Sequence, residues 1–102
     1  MTRWFVSRHS GALEWATRQN LAVDRFVSHL NMNDVQRGDH VYGILPVELA
    51  AEVCRREARF FALCVSVTAE QRGYDLTADD LLGLNARLQE YHIVELEHNN
   101  DT

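Results

Sequence analysis

Apolar positions along the chain fall into short blocks that switch between the strand period and the helix period. Trp4-Phe5-Val6 is apolar on both faces, the pattern of a strand covered from either side. Residues 11–20 then follow a helical repeat with Ala12, Trp15 and Ala16 on one stripe. Gly11 or Ser10 can cap that helix, and Glu14 falls where an acid favours a helix N-terminus. A second strand is predicted over 23–30, and a connector rich in Asn, Asp and Gly over 31–39. A third strand over 41–45 is ended by Pro46, which suits the first turn of a helix because its missing donor is not needed there. The helix that follows is expected to bury Val47, Ala50, Ala51, Cys54 and Ala58. Residues 60–67 read as a fourth, nearly continuous apolar strand, and 66–76 as a loop containing Glu70-Gln71-Arg72-Gly73. Thr77, with Asp80 three residues on, opens an amphipathic helix carrying Leu81, Leu84, Leu88 and Tyr91. The tail from His92 is polar and expected to fray.

This order of elements predicts an α/β fold: a small, open, mostly parallel Rossmann-like sheet with helices on both faces. The connector supplies the strand order. It is too short for a helical crossover between adjacent parallel strands, which takes a dozen or more residues. Fully extended, at about 3.3 Å per residue, it can still run back under the sheet to the other side of the first strand. The predicted order is therefore 2-1-3-4. In such a sheet the winding reverses between strands one and three, and ligands bind in the crevice at their carboxyl ends. Ser7-Arg8-His9-Ser10 stands at one of those ends and Leu45-Pro46 at the other.

Composition narrows the class. At 102 residues and 46% hydrophobic, the chain is sized for one domain over 1–92 with a polar tail over 93–102, and a core so modest favours help from a partner subunit. A net charge of −5 argues against a general nucleic-acid coat protein, which needs many cationic contacts. The acidity sits in the last third, where Asp75, Asp79, Asp80, Glu90, Glu95, Glu97 and Asp101 face Arg87 alone. There is no lysine, so every side-chain cation except histidine is a guanidinium fork suited to phosphate oxygens. A small anionic ligand is compatible with that. Cys54 and Cys64 read as small buried hydrophobes in a reducing compartment. With no leader-like segment and no apolar run near the roughly 18 residues of a membrane span, a cytoplasmic location is expected.

No Walker lysine loop, G-x-G-x-x-G, H-E-x-x-H or nucleophile elbow occurs. The histidines at 9, 29, 40, 92 and 98 lack metal-ligand spacing, so no metal site is expected. Ser7-Arg8-His9-Ser10 suits either a solvated turn that caps a helix or an anion cradle, in which free amides, an arginine and hydroxyls converge. His9 adds a group that moves protons near neutrality. Arg72 follows the fourth strand, on the same edge of the sheet as the cradle if the order is right. His29 reads as a hydrogen-bonded structural residue, Trp15 as core or interface, and Asp79-Asp80 as acids favoured by a helix dipole. Gly43 inside a strand implies close approach by a backbone, a helix or a ligand, or else a bulge.

V-S-R-H-S-G-A-L-E-W (6–15), V-S-H-L (27–30), G-D-H-V-Y-G-I-L-P-V-E-L-A-A-E-V-C (38–54), Q-R-G-Y-D-L-T-A-D-D-L (71–81) and A-R-L-Q-E-Y (86–91) resemble, in order and spacing, a small family of CRISPR-associated accessory proteins of type III systems. The resemblance covers roughly residues 3–92. It implies a CARF-like fold, a homodimer, no cofactor, and ring-nuclease activity: metal-independent cleavage of cyclic oligoadenylate, chiefly the tetraadenylate, the messenger that switches on antiviral effectors. Neither DNA nor a membrane is an expected partner. On that basis Arg8 is expected to stabilise the transition-state charge and His9 to move the proton. Ser7 and Ser10 would orient phosphate or ribose, Arg72 would grip a further phosphate, and Gly11, Leu45 and Pro46 would complete the substrate-binding set. Two other readings stand beside it: a non-catalytic binder that uses the same residues to sequester the messenger, and an interaction domain that docks on a basic effector subunit through an acidic C-terminal helix.

Overall fold

Backbone pairing begins at the apolar block near the N-terminus. In the computed structural model, which describes residues 1–9, 11–66 and 77–96, β1 (Arg3–Val6) pairs in parallel with β2 (Arg25–Val27) on one side and β3 (His40–Gly43) on the other. β4 (Arg59–Cys64) is parallel to β3, and β5 (Arg87–Tyr91) lies antiparallel to β4 at the far edge. The order is 2-1-3-4-5. The expected 2-1-3-4 arrangement is present, with one antiparallel edge strand added to a mostly parallel sheet.

Strand alternation sorts the core into two layers. On one face, Phe5, Tyr42 and Leu63 meet Ala12, Trp15 and Ala16 of α1 (Ala12–Arg18) and Ala78 and Leu81 of α3 (Ala78–Gly83). Phe5 is 0% and Trp15 2% exposed, and each buried side chain of this size contributes about 1.5–3 kcal/mol. Trp15 is thus a core residue. On the other face, Trp4, Val6, Val41 and Phe60 pack against Ala50, Val53 and Cys54 of α2 (Val47–Arg55). The β2–β3 connector crosses under this second face: it makes a 3₁₀ turn at Met32–Asp34 and buries Val35 in the same cluster. That is the short return path its length allows.

Several expected boundaries shift. The second strand shortens from 23–30 to Arg25–Val27, because Ser28, His29 and Leu30 leave the sheet to line a cavity. Residues 67–76, with most of the expected loop and Arg72, lie outside the described residues. Val47, the first residue of α2, is 66% exposed rather than buried, the helix turning Ala50, Ala51, Val53 and Cys54 inward instead. Cys54 is buried and Cys64 half-buried, and both are free.

The C-terminal helix is the largest correction. Thr77 and Asp80 form the expected reciprocal cap, but the helix ends at Gly83. Asn85 takes a positive φ of 56° while Ala86 N–H donates to Leu81 O and Asn85 N–H to Leu82 O, a left-handed stop. Leu88 and Tyr91 then lie in β5 on opposite faces, with Leu88 paired to Leu63. The exposed edge of β4 offered five residues of antiparallel pairing, and Arg59 and Glu90 reinforce it through two bonds of 2.7 and 2.8 Å. Nor does the chain leave the fold at His92. Ile93 packs on the α2 cluster and its amide donates to Cys54 Sγ at 3.4 Å, while Glu95 pairs with Arg55 at 3.0 Å. The docking reading loses the long acidic C-terminal helix on which it rested.

Candidate functional site

Past Val6 and Val27, the last paired rung of β1 and β2, the two strands diverge. Ser7 remains tied to the sheet, its amide donating to Val27 O at 3.1 Å, and is 5% exposed. Its Oγ accepts from the His9 amide at 3.0 Å, a serine turn that folds the chain back on itself. Ala12 N–H in turn donates to His9 O at 3.2 Å. Ser7 therefore shapes the turn that presents exposed Arg8 and half-buried His9.

Gly11 follows as the N-terminal boundary residue of α1, with no side-chain cap. A β-carbon built on it would stand 2.2 Å from Ala78 N and from Thr77 C. Only a glycine lets the starts of α1 and α3 meet so closely. Gly11 is thereby placed against α3 and is not among the described residues that line the cavity described next.

The opposite wall comes from β3. Gly43 has φ = +126°, and a β-carbon there would fall 2.0 Å from Val6 O. Of the readings left open for this glycine, close approach by a neighbouring backbone is the one realised. Beyond it Ile44 N–H still donates to Val6 O at 3.1 Å. The chain then turns through Leu45 to Pro46, whose carbonyl accepts from the amides of Leu49 and Ala50 to begin α2.

Between these walls, at the carboxyl ends of β2, β1 and β3, lies a cavity of about 970 Å³, at the upper end of the range for small-molecule sites. Its polar lining is Ser7, Arg8, His9, Ser28 and His29, contributed by the chain just past β1 and β2. Its apolar lining is Val6, Leu30, Ile44, Leu45, Pro46 and Leu49, of which the last four follow β3. Among the described residues that line it, none is a carboxylate. The topological switch point thus holds the crevice, and brings Ser7, Arg8, His9, Leu45 and Pro46 together as the sequence suggests. Ser10 and Arg72 lie outside the described residues.

Sequence reasoning missed Ser28 and His29 as lining residues. His29, expected to be a bonded structural histidine, is exposed at the cavity. The signal was present in V-S-H-L, which repeats the apolar-Ser-basic order of V-S-R-H at the end of the neighbouring strand.

Two perturbed groups, His40 and Asp39, lie at the amino end of the sheet. Burial holds the His40 imidazole below the ordinary histidine range, helped by the charges of Arg59 and Arg3, and its Nδ1 lies 3.1 Å from Tyr42 Oη. Asp39 there is buried and fully bonded. Among the described residues no group of three histidine, cysteine, aspartate or glutamate side chains is placed to hold a metal ion, and no helix is long and apolar enough to cross a membrane.

A family profile described as "Putative CRISPR-associated protein (Cas_VVA1548)" aligns with residues 4–94. No curated protein and no solved structure matches.

Proposed function

Since the chain belongs to the Cas_VVA1548 family of CRISPR-associated proteins, we propose that it is a ring nuclease of a type III CRISPR response. It takes up cyclic oligoadenylate, chiefly the tetraadenylate, and opens the ring by metal-independent, in-line attack of a ribose 2′-hydroxyl on the neighbouring phosphorus. The observation that carries this reading is the lining of the switch-point cavity. In a chain of net charge −5, that lining holds Arg8, His9 and His29, no carboxylate among the described residues, and six apolar residues. An anionic ligand that also carries flat bases has a use for both the basic and the apolar lining.

The chemistry asks for alignment of the 2′-oxygen with phosphorus, stabilisation of the charge that builds on the phosphoryl oxygens, and transfer of a proton. Positioning and charge stabilisation supply most of such an acceleration. Arg8, exposed at the tip of the Ser7 turn, offers a fork of donors to the phosphoryl oxygens. His9 receives the proton of the 2′-hydroxyl. A homodimer would present two such turns to a rotationally symmetric ring across a two-fold axis.

The test is to incubate the purified protein with cyclic oligoadenylates of three ring sizes, with and without chelator, and separate the products. Linear products from the tetraadenylate, formed equally in chelator, are expected. Protection of the ring in stoichiometric amounts without product would make the protein a sequestering binder. No binding of any ring would overturn the reading.

A further inference from the structure

We propose that His29 is a second catalytic residue of this site, the general acid that protonates the departing 5′-oxygen while His9 serves as the base; the proposal rests on the ring-nuclease reading above. Three observations lead to it. His9 and His29 line the same cavity, with Arg8 the remaining cationic side chain of its described lining. They leave the sheet from adjacent parallel strands at the same end, three and two residues beyond the last paired rung, Val6 and Val27. And they are the described lining residues able to exchange a proton near neutrality, because a guanidinium stays protonated and a serine hydroxyl is too weak an acid.

In-line displacement makes two acid–base groups useful. The attacking and leaving oxygens stand on opposite sides of phosphorus, so one imidazole cannot reach both at the same moment. With His9 neutral and His29 protonated, His9 takes the 2′-hydroxyl proton as the 2′-O–P bond forms. The P–O5′ bond breaks, and His29 delivers its proton to the departing oxygen. The products are a 2′,3′-cyclic phosphate and a free 5′-hydroxyl. His9 ends protonated and His29 neutral, and exchange with water restores both.

A sulfur substitution separates this role from a structural one. In cyclic tetraadenylate carrying sulfur at the bridging 5′ positions the leaving group is a thiolate, which departs without a proton because thiols are far stronger acids than alcohols. His29→Ala should slow cleavage of the ordinary ring by about 10²–10⁴-fold, leave ring binding unchanged, and return to the wild-type rate on the sulfur-bridged ring. His9→Ala should stay slow on both. His29→Gln, which keeps a polar side chain in place, should behave as the alanine variant does. Equal slowing on both rings, loss of binding, or an unimpaired His29→Ala rate would each overturn the role of His29. Wild-type protein that cleaves neither ring would overturn the nuclease reading itself, a result visible before any substitution is made.

Discussion

The carbonyl oxygen of Val6 occupies the place where a side chain on Gly43 would begin, 2.0 Å from the ideal β-carbon position. Gly43 also holds φ = +126°, a region that side-chain-bearing residues rarely enter. The two facts have one consequence. β3 stays bonded to β1 through Ile44 N–H and Val6 O at 3.1 Å while turning sharply enough to deliver Ile44, Leu45 and Pro46 to the cavity. Gly43→Ala should therefore destabilise the protein by at least about 1–3 kcal/mol, the ordinary cost of such backbone strain before the clash is added. Urea unfolding measures it, and a loss under about 0.5 kcal/mol, the scatter of neutral surface substitutions, would show that the strand relaxes freely.

The turn closed by Ser7 Oγ and the His9 amide makes different demands on its two tip residues. Arg8 meets the phosphate charge of the bound ring and, more strongly, the further charge that builds in the transition state, so Arg8→Ala should weaken binding of cyclic tetraadenylate and also slow its cleavage at saturation. His9 acts on a proton that moves only during the reaction, so His9→Ala should spare binding and lower single-turnover cleavage by about 10²–10⁴-fold. Titration of labelled ring with excess protein, followed by quenched time courses, separates the two effects. A His9→Ala protein that cleaves normally once saturated would remove the residue from the chemistry.

Much of this arrangement is legible in the sequence. The apolar blocks placed β1, β3 and β4, and the shortness of the connector placed β2 on the far side of β1, so the switch point and its Ser7-Arg8-His9 lining followed from the apolar pattern and the connector's length together. What failed, failed for identifiable reasons. Leu81, Leu84, Leu88 and Tyr91 keep a helical spacing across a real helix, a left-handed stop at Asn85 and a strand, because an unpaired β4 edge outweighs a continuation of the helix. Gly83 and Asn85 were the local signals for that break. His29 reads identically whether the strand ends before or after it, and only the divergence of β2 from β1 decides that it lines the cavity.

The junction of α1 and α3 supports the same turn from below. Thr77 Oγ accepts from Asp80 N–H at 3.1 Å and Asp80 Oδ2 accepts from Thr77 N–H at 3.0 Å, directly over Gly11. Thr77→Ala should cost about 0.5–2 kcal/mol, the usual value of such a cap, in thermal or urea unfolding. Gly11→Ala should cost more, since the new methyl meets backbone on α3 that no side-chain rotation can clear. The reverse ranking would mean that α3 is not seated on Gly11.

At the opposite end of the sheet, Asp39 is 1% exposed, and its carboxylate gathers three donors: Thr2 N–H at 2.9 Å, Gln36 N–H at 2.9 Å and Trp4 Nε1–H at 3.1 Å. Burial by itself would push this carboxyl up. The bonds from Gln36, Thr2 and Trp4 together outweigh it and hold the group below its ordinary value. The sign of the pH dependence follows. A carboxyl whose pKa is lower folded than unfolded adds stability above its unfolded pKa of about 3.9. That stability is lost as the pH falls through the folded value, because the unfolded chain then takes up the proton first. Asp39→Asn turns an amide –NH₂ toward donors it cannot accept from, and should cost at least about 1–3 kcal/mol at neutral pH for the unsatisfied groups it leaves. The gap between wild type and variant should be constant from pH 7 to about pH 5 and close as the solution is taken below about pH 4. Urea unfolding of both proteins across that range measures the gap directly, so that acid losses shared by the other carboxylates cancel. A gap that widens in acid would mean that Asp39 is protonated in the folded protein, and that the hydrogen bonds at the start of β1 and β3 do not carry its charge.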